Sequence, residues 1–248
     1  ALVRTYYAEP PTEYHAYEGA PAPPVKLPAD KGLNRLVWDL RHEPLPGAPE
    51  VYIEGSFRGR KAIPGEYSLT LISGSDRKET KARILKNPLI PTTEAAFEAY
   101  ASFMQQAEAR YREMTRMTNA LKEVSGRLAK LRAFLEGQDK SSLASRAESL
   151  EAELKAWDGI MVQRLSKAYD DVENYVNGFT AEYLTALNHA DSGIPRVNEG
   201  TREKMAALNR AWAGHKATAT DLLRTKIPAF NQALQAAGIG ALYVPELP

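Results

Sequence analysis

Cysteine is absent from the 248 residues. Its absence excludes disulfide frameworks, thiolate nucleophiles and cysteine-bound zinc together. It leaves the compartment open, because many bacterial periplasmic and secreted proteins also lack cysteine. No run of 18 or more apolar residues occurs, so no segment reads as a membrane-spanning helix. An excess of either charge is lacking too: 32 Lys and Arg stand against 31 Asp and Glu, a net charge of +1. With no basic surplus to neutralise a row of phosphates, nucleic acid is not the expected partner. Also missing are a glycine-rich phosphate loop, a nucleophile elbow and a zinc-helix motif. The chain opens on Ala1 with no basic and apolar leader after it, so the expectation is a processed protein or a piece of a longer one.

What is present suffices for a folded protein. Hydrophobic residues make up 44% and charged residues 25%, ordinary for a chain with a packed core. The length fits one large domain or two of common size.

Proline divides the chain. Twelve of the 16 prolines fall within the first 91 residues, and only Pro195, Pro228, Pro245 and Pro248 follow. Proline fixes φ and removes a backbone donor, so the two stretches must be built differently. The reading is a β-rich part over residues 1–91 and a helical part over 92–248.

In the first part the apolar period is two. Leu36, Trp38 and Leu40 alternate along one run; Tyr67, Leu69 and Leu71 alternate with Glu66, Ser68 and Thr70. Strict alternation marks a strand with one buried face. The turn cluster Ser73-Gly74-Ser75-Asp76, followed by Thr80, Ala82 and Ile84, predicts a hairpin. Residues 2–7 and 51–57 are further strand candidates. The proline-rich stretch 10–28 between them reads as an extended surface loop.

In the second part the period is helical. Thr92 or Thr93 can cap a helix whose apolar stripe runs Tyr100, Met104, Ala107, Tyr111, Met114, Met117, Leu121, Val124, Leu128, Leu131 and Leu135, ending at Gly137. A second helix from Ser141 or Ser142 presents Leu143, Ala147, Leu150, Leu154, Trp157, Met161 and Leu165. A third segment spans about 170–190, with Gly178 arguing against its first half. Thr201 opens a last helix carrying Met205, Leu208, Trp212, His215, Leu222 and Phe230, which Pro228 should kink or break. Helices of this length with short joints pack antiparallel, so a bundle of three to four helices is expected.

The four histidines, His15, His42, His189 and His215, share no metal-ligand spacing. His189 and Asp191 supply two loop ligands at most. Carboxylate pairs such as Asp170 and Asp171, Glu151 and Glu153, or Glu43 and Glu50 are of the residue type that glycoside hydrolysis needs; on helices they read as a solvated face. No catalytic residue, cofactor or metal ligand is assigned. The candidate ligand or partner contacts are Tyr6, Tyr7, Tyr14 and Tyr17, whose rings suit sugar or protein surfaces. The alternative is that these rings cover the sheet where loops cross it.

The runs Gly32-Leu33-Asn34-Arg35-Leu36-Val37-Trp38-Asp39-Leu40-Arg41 and Ile63-Pro64-Gly65-Glu66-Tyr67-Ser68-Leu69-Thr70-Leu71 carry a resemblance. So do Ser166-Lys167-Ala168-Tyr169-Asp170-Asp171-Val172 and Asp191-Ser192-Gly193-Ile194-Pro195. Together they resemble the C-terminal region of large secreted bacterial proteins built on neuraminidase-repeat, sortilin-like β-propellers, often labelled glycosyl hydrolases. The first two are also similar to the immunoglobulin-like module of flagellar hook-capping proteins. The resemblance implies an α+β chain: a small antiparallel immunoglobulin-like β-sandwich, entered one strand late, then an antiparallel helical bundle. It implies a secreted, periplasmic or cell-envelope setting and a non-catalytic accessory module. Its partner would be an upstream propeller of the same protein, another chain, or carbohydrate. The alternatives are part of a sialidase-like glycoside hydrolase whose catalytic residues lie upstream, or a carbohydrate-binding module.

Overall fold

A proline-free stretch with apolar residues every three or four positions has one low-energy solution, a long helix with one buried stripe. In the computed structural model, which describes residues 2–192 and 196–245, α1 spans Glu94–Gly137. At 44 residues it is about 66 Å long. Thr93 caps it, its hydroxyl accepting from the Ala96 amide at 3.2 Å. Every member of the predicted stripe is buried except Leu131, which packs against the core partly exposed. The chain reverses at Gln138–Lys140, where Asp139 takes the left-handed conformation (φ 54°). The reversal leads into α2, Ser141–Met161.

α2 and the next helix, α3 (Phe179–Ser192), lie end to end along α1. Arg132 of α1 pairs with Glu151 of α2 at 3.1 Å, whereas Tyr111 of α1 stacks on Tyr183 of α3 at 6.4 Å. The first contact is on the C-terminal half of α1 and the second on its N-terminal half, and both neighbours run antiparallel to it. The junction is tight. Thr180 donates to the Met161 carbonyl at 2.8 Å, and a Cβ on Gly178 would stand 2.6 Å from the Val162 Cα. Only glycine lets these backbones meet. Between them, residues 162–178 leave the rod and return, with one 3₁₀ turn at Tyr169–Glu173. The reading of a helix from about 170 thus needs correcting: the segment holds a single turn, and helix begins only after Gly178. Leu165 falls in this excursion and is exposed rather than on the buried stripe of α2.

The third rod joins α4 (Glu199–Asp221) to α5 (Ile227–Ala236). It starts two residues before Thr201, with the Asn198 side chain accepting from the Thr201 amide. Trp212 donates to Glu113 at 3.2 Å, and Trp157 donates to the His215 carbonyl at 2.8 Å. These bonds lock α4 to α1 and α2. Pro228 cannot donate to the preceding turn. The rod absorbs this as a π segment over Leu222–Lys226, in which the Ile227 amide reaches the Leu222 carbonyl five residues back. An inserted π turn is a known way to carry such a defect. The rod continues through proline rather than breaking.

The regular β-structure among the described residues is one antiparallel hairpin, β1 (Gly65–Ser73) and β2 (Asp76–Ile84). Ser73 pairs with Asp76 across a two-residue turn, and Gly74 has φ 57°, as a II′ turn requires at its first position. The chain is therefore α+β, with long helices and a small antiparallel sheet.

Three predicted strands are extended without forming regular ladders. Residues 2–7 carry only an isolated bridge at Tyr7, 36–40 stop just short of a second at Arg41, and 51–57 has none. The chain instead pairs 40–45 with 57–62, through Ala62 to Leu40 at 2.8 Å, His42 to Arg60 at 2.9 Å and Leu45 to Phe57 at 2.6 Å. Pro44, Pro46 and Pro49 supply no donors, and Leu40 and Glu50 are left-handed (φ 57° and 59°), so the ladder cannot propagate. This strap, residues 40–63, buries Leu45, Ala48, Val51, Ile53 and Phe57 in the same core as the helices. The proline boundary lies just before α1; the core crosses it.

A methyl at Gly178 forces the α2–α3 junction apart. Gly178→Ala should destabilise the chain by about 1–3 kcal/mol, measured as a lower urea midpoint, whereas Gly126→Ala, with open space around its Cα, should not.

Candidate interaction surface

The strap is held on the bundle by charge. Asp191, near the end of α3, takes the Arg41 guanidinium at 2.6 Å and the Tyr100 hydroxyl. The Tyr100 oxygen in turn accepts the Lys61 amide at 3.1 Å, and the Lys61 ammonium donates to the Asp191 carbonyl at 2.7 Å. Burial and the facing Asp191 carboxylate push the Tyr100 phenol far above its usual range, so it acts only as a neutral donor and acceptor. A second group lies about two turns further along α1. Glu108 accepts from both the Arg60 amide and its guanidinium at 2.5 Å, and Arg112 donates to the Glu43 carbonyl at 2.8 Å. Burial raises the Glu108 carboxyl against the pull of the Arg60 and Arg112 charges. On the opposite side of the strap, Asn188 and Ser56 exchange two bonds, at 2.6 and 2.8 Å. Asp191 was one of two sequence candidates for a cation, with His189; its carboxylate instead serves Arg41 and Tyr100. Among the described residues no group of three or more His, Asp or Glu is placed to hold a metal ion.

From this fixed strap the hairpin projects as an arm. At its base the Tyr67 ring meets Trp38 edge-on at 5.5 Å and its hydroxyl donates to the Ile63 carbonyl at 2.6 Å. Trp38 donates to the Arg41 carbonyl at 2.8 Å. Beyond that base the arm is bare. Leu69 is 45% exposed, Leu71 55% and Ile72 64%, although the alternation predicted one covered face. Leu33, Val37 and Leu40 on the neighbouring run are exposed as well. The Trp38 and Tyr67 hydrogen bonds at its base could not have been read from the sequence; the apolar alternation and the turn cluster were the legible signals.

The four tyrosines do not form one cluster. Tyr6 lies under the Arg4 guanidinium, 5.2 Å from its ring centre, and burial raises its phenol pKa. Tyr7, half-exposed, bridges Lys26, its carbonyl accepting from Leu27 at 2.8 Å. Both line a cleft of about 60 Å³ with Arg4, Thr5, Pro10, Pro24, Val25, Glu43 and Pro44, well below the roughly 300 Å³ of a small-molecule site. Tyr14 donates to the Pro21 carbonyl at 3.0 Å. Tyr17, partly buried, has its hydroxyl 2.5 Å from where a Cβ on Gly47 would stand, so its ring rests on the start of the strap.

The resemblance motifs at 32–41 and 63–71 meet through Trp38 and Tyr67, and the motif at 166–172 reaches the strap, the Ser166 carbonyl accepting from Tyr52 at 3.1 Å. Of the motif at 191–195, residues Gly193, Ile194 and Pro195 lie outside the described residues, as does Ala1. Compared with known proteins, the chain matches no family model, no curated protein and no solved structure.

Two predictions concern the strap. Asp191→Asn leaves the buried Arg41 without its counter-charge and should cost about 2–4 kcal/mol in urea unfolding, with Tyr100→Phe costing about 1 kcal/mol. Burial, helped by the Arg60 charge, lowers the His42 pKa from 6.5 to about 4. The folded state therefore resists protonation that the unfolded state accepts, so stability is lost as pH falls from 6.5 towards 4. Urea midpoints across that window should fall less for His42→Gln than for the unchanged chain.

Proposed function

We infer that this chain is a non-catalytic accessory module, which docks a protein surface through the β1–β2 arm and the adjoining run 33–40. One observation carries the reading: a strand face with the apolar alternation of a buried sheet stands exposed at Leu69 and Leu71. An exposed apolar face on a rigidly based arm is characteristic of an interaction element. Its partner is the propeller of a parent protein or another chain, and the parent is a secreted or cell-envelope bacterial protein. What supports this setting is the motif resemblance, whose first two runs form the base of the arm. The finer fold is an immunoglobulin-like sandwich in which β1, β2 and the extended runs 2–7 and 36–40 are strands, regularised when the partner adds to them. The left-handed Leu40 accounts for the end of the run 36–40 in the chain by itself.

Leu69→Ser with Leu71→Ser should leave the urea midpoint unchanged and shorten retention on a hydrophobic-interaction column. A marked loss of stability would mean that the arm is packed into the core, which contradicts a docking role. The chain should also leave a panel of chromogenic glycosides intact. Hydrolysis abolished by one carboxylate-to-amide change would establish a glycosidase in its place.

A further inference from the structure

The two edges of the arm are not equivalent. A hairpin closed by a two-residue turn has hydrogen bonds at its closing pair and at every second pair beyond it. Ser73–Asp76, Leu71–Lys78, Leu69–Thr80 and Tyr67–Ala82 are thus the bonded pairs of the register. The backbone groups of Glu66, Ser68, Thr70 and Ile72 then point away from β2, and those of Arg77, Glu79, Lys81 and Arg83 point away from β1. None of these outward groups has a backbone partner among the described residues. Natural sheets blunt an open edge with lysine, other charges or proline. β2 is blunted in this way: Arg77, Lys78, Lys81 and Arg83 stand against Asp76 and Glu79. β1 carries one charge, Glu66, and its remaining residues from Tyr67 to Ser73 are apolar or hydroxylic. Only β1 is open to another strand.

We propose that the β1 edge pairs antiparallel with β1 of a second copy of this chain, about a two-fold axis at Leu69. This rests on the arm being a docking element and names its partner. The pairing must join residues whose backbone groups face outward, which confines it to even-numbered positions. With the axis at Leu69, Ser68 faces Thr70 and Glu66 faces Ile72 of the other copy, so all four outward residues of each strand are used. An axis at Ser68 or Thr70 leaves one outward residue of each strand unpaired. In the favoured register Leu69 faces Leu69 and Tyr67 faces Leu71 in the closer, non-bonded pairs. The two strands then share a continuous apolar row on one face of a four-stranded sheet. Charge selects the same edge. Glu66, already paired with Lys81 at 2.7 Å, meets Ile72 rather than another carboxylate. Two β2 edges paired about Thr80 would set Arg77 against Arg83 twice and Glu79 against Lys81 twice, on strands that each carry four cations against two carboxylates. The contact is isologous and closes at two copies.

Sedimentation of the whole chain over a wide concentration range tests this. A monomer–dimer equilibrium is expected. Ser68→Pro removes an outward amide from each copy without touching the β1–β2 ladder and should weaken the dimer about 30-fold. Lys81→Pro, the equivalent change on the blunted edge, should leave it unchanged. Thr70→Lys places a charge on the pairing edge with no proline constraint, and should weaken the dimer while the far-UV spectrum stays the same. A monomer at every concentration, a dimer indifferent to both β1 changes, a dimer lost with Lys81→Pro, or assemblies that grow beyond two copies would each overturn the assignment. A chain that stays monomeric while its hydrophobic retention still depends on Leu69 and Leu71 loses its second-copy partner and keeps its docking role. Glycoside hydrolysis removes the docking role itself.

Discussion

The carboxylate of Asp191 ties the proline-rich part of the chain to the helices. It draws Arg41 from the start of the strap and the Tyr100 hydroxyl from α1 to one point, and the Asp191 carbonyl holds Lys61 from the strap's other end. A charge pair taken out of water is stable only when its remaining donors and acceptors are satisfied. Here they are, through the Tyr100 oxygen and the Gly59 carbonyl, which takes Arg41 at 2.8 Å. Because Arg41 and Lys61 also bridge each other across the strap, fixing one fixes both. The base of the arm, Trp38 and Tyr67, hangs from the same two points. Without this clasp the exposed hairpin would have no defined position on the bundle.

The bundle gives the clasp something rigid to grip. Three rods, with α2 and α3 sharing the middle one, put the end of α3 beside the beginning of α1. Asp191 can face Tyr100 only because α3 runs antiparallel to α1 from the Met161–Thr180 junction. That junction in turn depends on the missing Cβ at Gly178. A close backbone approach midway along the molecule thus sets the geometry of the polar contacts at its end. The excursion 162–178 serves the same interface from its other side, where Lys167 donates to the Glu50 carbonyl at 2.6 Å.

Much of the helical architecture was legible because it is periodic. The stripe from Tyr100 to Leu135 and the stripe from Met205 to Phe230 name their buried faces almost residue by residue, and the cap at Thr93 follows from its chemistry. The hairpin was equally legible, from two alternating runs around Ser73-Gly74-Ser75-Asp76. What failed to show was whatever depends on distant partners. Tyr100 read as one more apolar member of a stripe, since its hydroxyl's partner lies 91 residues away. Asp191 read as a loop carboxylate that with His189 makes too few ligands for a cation, since nothing local announces Arg41. Gly178 read as a weak point in a helix, when its role is to let another backbone touch it. The alternation of Tyr67, Leu69 and Leu71 predicted one buried sheet face, but among the described residues nothing covers Leu69 and Leu71; that mismatch is what supports the proposed docking role.

The central claim is that the strap belongs to the bundle's cooperative unit while the arm stands apart from it. Native-state hydrogen exchange reads this directly, amide by amide, against denaturant. The amides of His42, Leu45 and Ala62 should exchange only through global unfolding, in step with Leu121 and Val124 of α1. Those of Leu69 and Leu71 should open locally at far lower free energy. Strap amides exchanging as readily as the arm, or arm amides protected as strongly as α1, would contradict the account.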